Sequence, residues 1–162
     1  MPKLGETFKQ GDSPKQIVNL LYNTGYRLTG SHKETEELVK GVFDALNGNS
    51  NLNTALNNMC LMYMNKTTSG SGKNSLKDKS STPTKGNSTN KIQEALLTLQ
   101  PAERLVLVLR EILGLSYSEI AEMTGIEKMA VTRLLNTGRW ALRKHLVPPP
   151  GKSRLPKNTV VK

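Results

Sequence analysis

The sequence predicts an all-α protein built as two small helical modules joined by a flexible linker. Three observations lead there. Apolar residues recur at steps of three and four in segment after segment, the spacing of one helical face. Aromatic residues make up only 4% of the 162, so the core must come from Leu, Ile, Val, Met and Ala, which favour helices. Between residues 67 and 90 the composition turns to Ser, Thr, Gly, Lys and Asn with almost no apolar residue, and this splits the chain.

The first module spans 14–66, after a polar, irregular lead over 1–13. Ser13 is placed to cap a helix with Pro14 in its first turn, followed by Ile17, Val18, Leu20 and Leu21. Thr29-Gly30-Ser31 breaks the pattern. A second helix runs from about His32 to Leu46, with Leu38, Val39, Val42, Phe43 and Leu46 as its apolar stripe. Its other side is acidic, with Glu34, Glu36, Glu37 and Asp44, while Lys33 and Lys40 lie nearby. Such a face is either simply solvated or a dock for a basic surface. Asn47 to Ser50 reads as a turn. A third helix, about Leu52 to Lys66, sets Leu52, Ala55, Leu56, Met59, Cys60 and Tyr63 on one side and Asn53, Asn57 and Asn58 largely on the other.

The linker holds a GSGK at Gly70 to Lys73, but Thr67 and Asn74 stand where a phosphate loop needs Gly and Ser or Thr. The second module spans 91–147. It opens with a helix over Ile92 to Leu99 that turns Ile92, Leu96 and Leu99 inward. Pro101 starts the next, with Leu105, Val108, Leu109 and Ile112 as its stripe and Gly114 as its stop. Ser116 then stands three residues before Glu119, the spacing of a capping box. A short helix follows, then a turn at Thr124-Gly125-Ile126, then a long helix with Val131, Leu135, Gly138 and Leu142 on one face. The spacing of Ala121, Gly125 and Val131 fits a helix-turn-helix, whose second helix enters the major groove of DNA; an ordinary antiparallel helix pair is the alternative. Pro148 to Pro150 ends the helix, and 148–162 reads as a basic, disordered tail.

The formal charge of +10 points to an anionic partner. Cys60 is the sole cysteine, which excludes an internal disulfide and a multi-cysteine metal site. His32 and His145 fall in different modules, and no residues have the spacing of a metal site or a nucleophile with its base. The expectation is therefore no enzyme, no cofactor, no metal and no small-molecule substrate. No segment has the length and apolarity of a signal peptide or a membrane span, so a cytoplasmic protein without membrane attachment is expected.

The second module resembles the fourth conserved region of bacterial sigma factors, most closely those of the extracytoplasmic-function class of the sigma-70 family. The resemblance rests on Leu99-Gln100-Pro101, Arg104, Val106, Leu109, Gly114-Leu115-Ser116-Tyr117, Glu119-Ile120-Ala121-Glu122, Gly125, Val131, Leu135, Arg139 and Leu142. It implies that this module binds the upstream (−35) promoter element and the polymerase flap. Ser118, Lys128, Thr132, Arg133, Asn136, Thr137, Arg139 and Arg143 would contact DNA. Members of the family commonly carry Lys or Arg where Thr132, Leu134 and Thr137 stand here.

The first module resembles the family's second region through Tyr26-Arg27-Leu28-Thr29-Gly30, Glu36-Glu37-Leu38-Val39 and Phe43. That resemblance implies that Glu34, Glu36, Glu37, Lys40 and Asp44 bind the clamp helices of core RNA polymerase. It also makes Asn53, Asn57, Asn58, Tyr63 and Lys66 candidates for single-strand contact at the −10 element. Ala55 stands where the family usually has a Trp, so this helix should capture bases weakly, because stacking is worth roughly 1–3 kcal/mol per base. The resemblance thus implies a sigma factor with promoter DNA and core polymerase as partners, and an anti-sigma factor as a further candidate. The alternative is a stand-alone DNA-binding regulator or sigma-like accessory factor that cannot melt promoters by itself.

Overall fold

The computed structural model describes residues 13–46, 51–69 and 88–147. The lead before Ser13, the turn at 47–50, residues 70–87 of the linker and the tail from 148 lie outside the described residues. The helices are α1 (Pro14–Thr29), α2 (His32–Leu46), α3 (Leu52–Ser69), α4 (Ser88–Leu97), α5 (Pro101–Leu107), α6 (Tyr117–Thr124) and α7 (Lys128–Leu146), and α5 continues into a π turn over Val108–Ile112. There is no strand among the described residues.

α1 begins at Pro14, and the Ser13 N–H donates to Gln16 Oε1 at 2.9 Å, which fixes the first turn. It ends at Gly30, whose φ of +72° is open to glycine at little cost. A second constraint acts at the same residue, because a Cβ there would lie 2.5 Å from Leu97 Cδ1. α2 buries Leu38, Val39, Val42 and Leu46 as expected. Phe43 sits at the edge of that face and is exposed, while Thr35 takes a central buried place. The Thr35 hydroxyl is satisfied there by Ser31 O at 2.7 Å and the Thr29 hydroxyl at 2.8 Å, so its burial costs little. α3 buries the six residues expected of it and runs on through Thr67 and Thr68, past the start of the expected linker.

α4 starts at Ser88 and meets the expected pattern in part. Gln93 and Ala95 are buried along with Leu96 and Leu99, whereas Ile92 is exposed. The buried Gln93 joins the modules. Its Nε2 donates to Tyr26 O at 3.0 Å and Arg27 O at 3.3 Å, and its Oε1 accepts from Arg27 Nη1 at 3.3 Å. These carbonyls belong to the last turn of α1, where the cap N–H of Gly30 reaches Tyr26 O and Arg27 O is left to Gln93. Arg104 of α5 completes the joint. It donates to Leu28 O at 2.6 Å, and also to Leu96 O, Leu97 O and Leu99 O of its own module.

The apolar side chains of both modules form one continuous core, from Ile17 and Leu21 through Met59 to Leu109, Ile120 and Leu135. α3 lies at its centre, packed by α1 and α2 on one flank and by α5 and α6 on the other.

Candidate nucleic-acid interface

The corner between α6 and α7 is built as the sequence requires. Ser116 Oγ accepts from the Glu119 N–H at 3.2 Å, and Glu119 Oε2 accepts from the Ser116 N–H at 2.7 Å. At the far end the Gly125 N–H donates to Ala121 O at 2.9 Å, with Gly125 at φ +70°. Ile120, Val131 and Leu135 are fully buried and lock the two helices together. Gly138 brings α7 close to α5, since a Cβ there would lie 2.8 Å from Leu107 Cδ1 and 3.4 Å from Glu103 Cβ.

The π turn after α5 departs from the expected helical stripe. Leu113 and Leu115 donate to Val108 O and Leu109 O, five and six residues back, so the chain carries an extra residue in this turn. Ile112, expected inside, is consequently 47% exposed, and Leu113 and Leu115 fill the core instead. Arg110 holds the exit of this turn, donating to Leu115 O at 2.8 Å and lying over the Tyr117 ring.

α7 turns its other side outward. At 100° per residue, Arg133, Asn136 and Arg143 fall on one stripe opposite Val131, Leu135 and Gly138, and all three are exposed. Neither Arg133 nor Arg143 has an ion-pair partner among the described residues. Lys128 is exposed at the first position of the helix and Ser118 near the start of α6. Thr132 and Thr137 flank the stripe, their hydroxyls donating back to Lys128 O and Arg133 O at 3.1 Å each. Leu134 is half-buried and packs against the core. Arg139 does not stand free. Its Nε and Nη2 both donate to Glu111 Oε1, at 3.0 and 2.6 Å, so its charge is answered within the protein. That neighbour was invisible in the sequence, because only the π turn carries Glu111 to it.

The first module gives a mixed result. Glu36, Glu37, Lys40 and Asp44 are exposed and Glu34 is half-buried, an accessible acidic side on α2. Lys66 bridges to it, 3.4 Å from Glu34 and 3.9 Å from Glu37, while staying exposed to solvent. Asn53 and Asn57 are exposed on α3 and Asn58 is half-buried. Tyr63, offered by the sequence as a base contact, is 4% exposed and has no ring face to present. Its hydroxyl has no hydrogen-bond partner among the described residues, and burial raises its pKa, an effect partly offset by the nearby Arg104 cation. Ala55 is likewise fully buried, so α3 offers no aromatic platform for a base. The residue that the sequence reading passed over is Trp140, which is 67% exposed on the outward stripe of α7.

Among the described residues no group of three or more His, Cys, Asp or Glu side chains is placed to hold a metal ion. No described helix is long and apolar enough to cross a membrane. Residues 89–142 match the family described as sigma-70, region 4. No curated protein matches the chain by sequence. In three dimensions it is similar to a chain of the co-crystal structure of the sigma factor RpoE in complex with the anti-sigma factor NepR from Bartonella quintana. The TM-score is 0.64 at 15% identity, over 82% of this chain and 92% of that one. Residues 89–142 thus belong with the sigma-70 region 4 family, on a chain whose fold is similar to that of a sigma factor.

Proposed function

We propose that the protein is a sigma factor that binds core RNA polymerase and directs it to promoters. The observation that carries this reading is the region 4 domain itself, a capped helix-turn-helix whose long helix leaves Arg133, Asn136 and Arg143 exposed on one stripe, the two arginines without an ion-pair partner among the described residues. Arg133 and Asn136 have the chemistry to read base edges, each good contact contributing about 1–3 kcal/mol of discrimination. The exposed acids of α2 form the face that would dock on the clamp helices of the polymerase. The resemblance to a structure solved with an anti-sigma factor makes such an inhibitor a reasonable further partner. The test is a pull-down with core polymerase followed by run-off transcription from a promoter selected with the purified holoenzyme. Retention by core and a discrete start site are expected; failure to bind core would sink the proposal.

One observation favours a second reading, a sigma-like accessory factor that binds promoters without opening them. The single aromatic of α3, Tyr63, is buried, and its only base, Lys66, is engaged by Glu34 and Glu37. Permanganate footprinting separates the two, since reactive thymines at a bound promoter require melted DNA.

A further inference from the structure

Trp140 is the only tryptophan in the chain, and two-thirds of it is exposed, on a helix whose other large apolar residues mostly face the core. An indole so placed removes little surface from water and contributes little to folding. Its direction is informative. At 100° per residue it lies about 20° from Arg133 and about 40° from Asn136 around α7, on the side opposite Val131 and Leu135. Along the axis it is about 10 Å beyond Arg133. α7 contains no acidic residue, and Arg143 and Lys144 flank Trp140 on the same stripe. The Lys144 ammonium sits 5.3 Å from the centre of the indole ring, which steadies the ring and sets a cation beside it.

We propose that Trp140 is a DNA-contacting residue, its indole lying against the deoxyribose-phosphate backbone with Nε1–H donating to a phosphate oxygen. This rests on the reading of α7 as the DNA-reading helix and adds to it. If Arg133 and Asn136 reach base edges, a side chain about 10 Å further along the same stripe meets the wall of a groove about 12 Å wide rather than its floor. The wall offers anionic oxygens to a donor and sugar carbons to a ring. Both needs of an exposed indole are met there, and the neighbouring cations suit the same surface.

The chain supplies its own reporter, because all tryptophan emission comes from this one residue. The full-length protein is titrated with a fluorescein-labelled duplex pool of randomised sequence at low salt. Label anisotropy reports binding, and tryptophan emission with acrylamide quenching reports the indole. Binding is expected to shield Trp140 from acrylamide. Trp140→Ala, folded as judged by circular dichroism, is expected to bind about tenfold more weakly, as for one lost hydrogen bond to a charged group. Its salt dependence should stay nearly unchanged, whereas Lys144→Ala should lower the log–log salt slope by about 0.9. Normal binding by anisotropy with unchanged quenching, or with unchanged affinity of Trp140→Ala, overturns this proposal and leaves the DNA-reading role of α7 standing. No change in anisotropy at any concentration overturns both.

Discussion

Replacing Gln93 by leucine tests whether the two modules are held as one body. Gln93 is 7% exposed, and leucine keeps most of its volume. What goes is the pair of donors to Tyr26 O and Arg27 O and the acceptor for Arg27 Nη1. Tyr26 O keeps the Gly30 N–H at 2.9 Å, so Arg27 O is the carbonyl left stranded. A stranded buried acceptor costs about 1–3 kcal/mol. The extra apolar surface buried by leucine returns about 1 kcal/mol. The net expectation is a loss of about 1–2 kcal/mol, or about 2–8 °C in Tm for a chain of this size. Urea unfolding is followed in parallel by helical circular dichroism, which reports both modules, and by pulsed amide hydrogen exchange in α7, which reports the second. With one continuous core the two probes should give coincident transitions, and both should shift together in the variant. Two separate transitions, or a shift seen by one probe alone, would refute the reasoning.

Other expectations follow from single side chains. Tyr63→Phe removes a buried hydroxyl that has no hydrogen-bond partner among the described residues but lies near the Arg104 cation, and should stabilise the protein by about 1 kcal/mol at most, read as a rise in Tm; a fall would mean that Arg104 satisfies the hydroxyl. Glu111→Gln releases Arg139, so affinity for random duplex DNA should rise and the salt slope steepen by about 0.9, measured by anisotropy across salt concentrations. Burial pushes the Cys60 thiol from 9.0 up to about 12, so the folded state holds its proton where the unfolded state releases it. Stability is therefore full below pH 9 and declines by up to about 1.4 kcal/mol per unit as pH rises toward 12; chemical denaturation across that range should show a flatter decline for Cys60→Ala.

Much of this architecture was readable from residue spacing. The limits of α2, the buried side of α3 and the capped corner at Ser116 and Gly125 follow from helical period and cap chemistry, which are local. Where the reading slipped, the cause was non-local or broke the period. A π turn inserts a residue and rotates everything after it, so Ile112 went outward and Glu111 came to Arg139. Gln93 was not among the residues read as inward, because its partners are carbonyls 66 and 67 positions away. Spacing alone put Tyr63 on the buried side of α3, but the part of a base contact carried over with the family resemblance does not survive that burial. Trp140 escaped notice for the opposite reason, since its outward direction acquires meaning only beside a stripe of unpaired cations.

The central position of α3 has a thermodynamic consequence. A helix gripped on both flanks cannot offer either flank to a visitor while the grip holds. A ligand that needs the side of α3 facing α5 and α6 can bind only the fraction of molecules in which the modules have parted, and its apparent dissociation constant is the intrinsic one divided by that fraction. Substitutions that loosen the joint would then sharpen such binding while lowering Tm, so the two quantities should move in opposite directions across a series of variants.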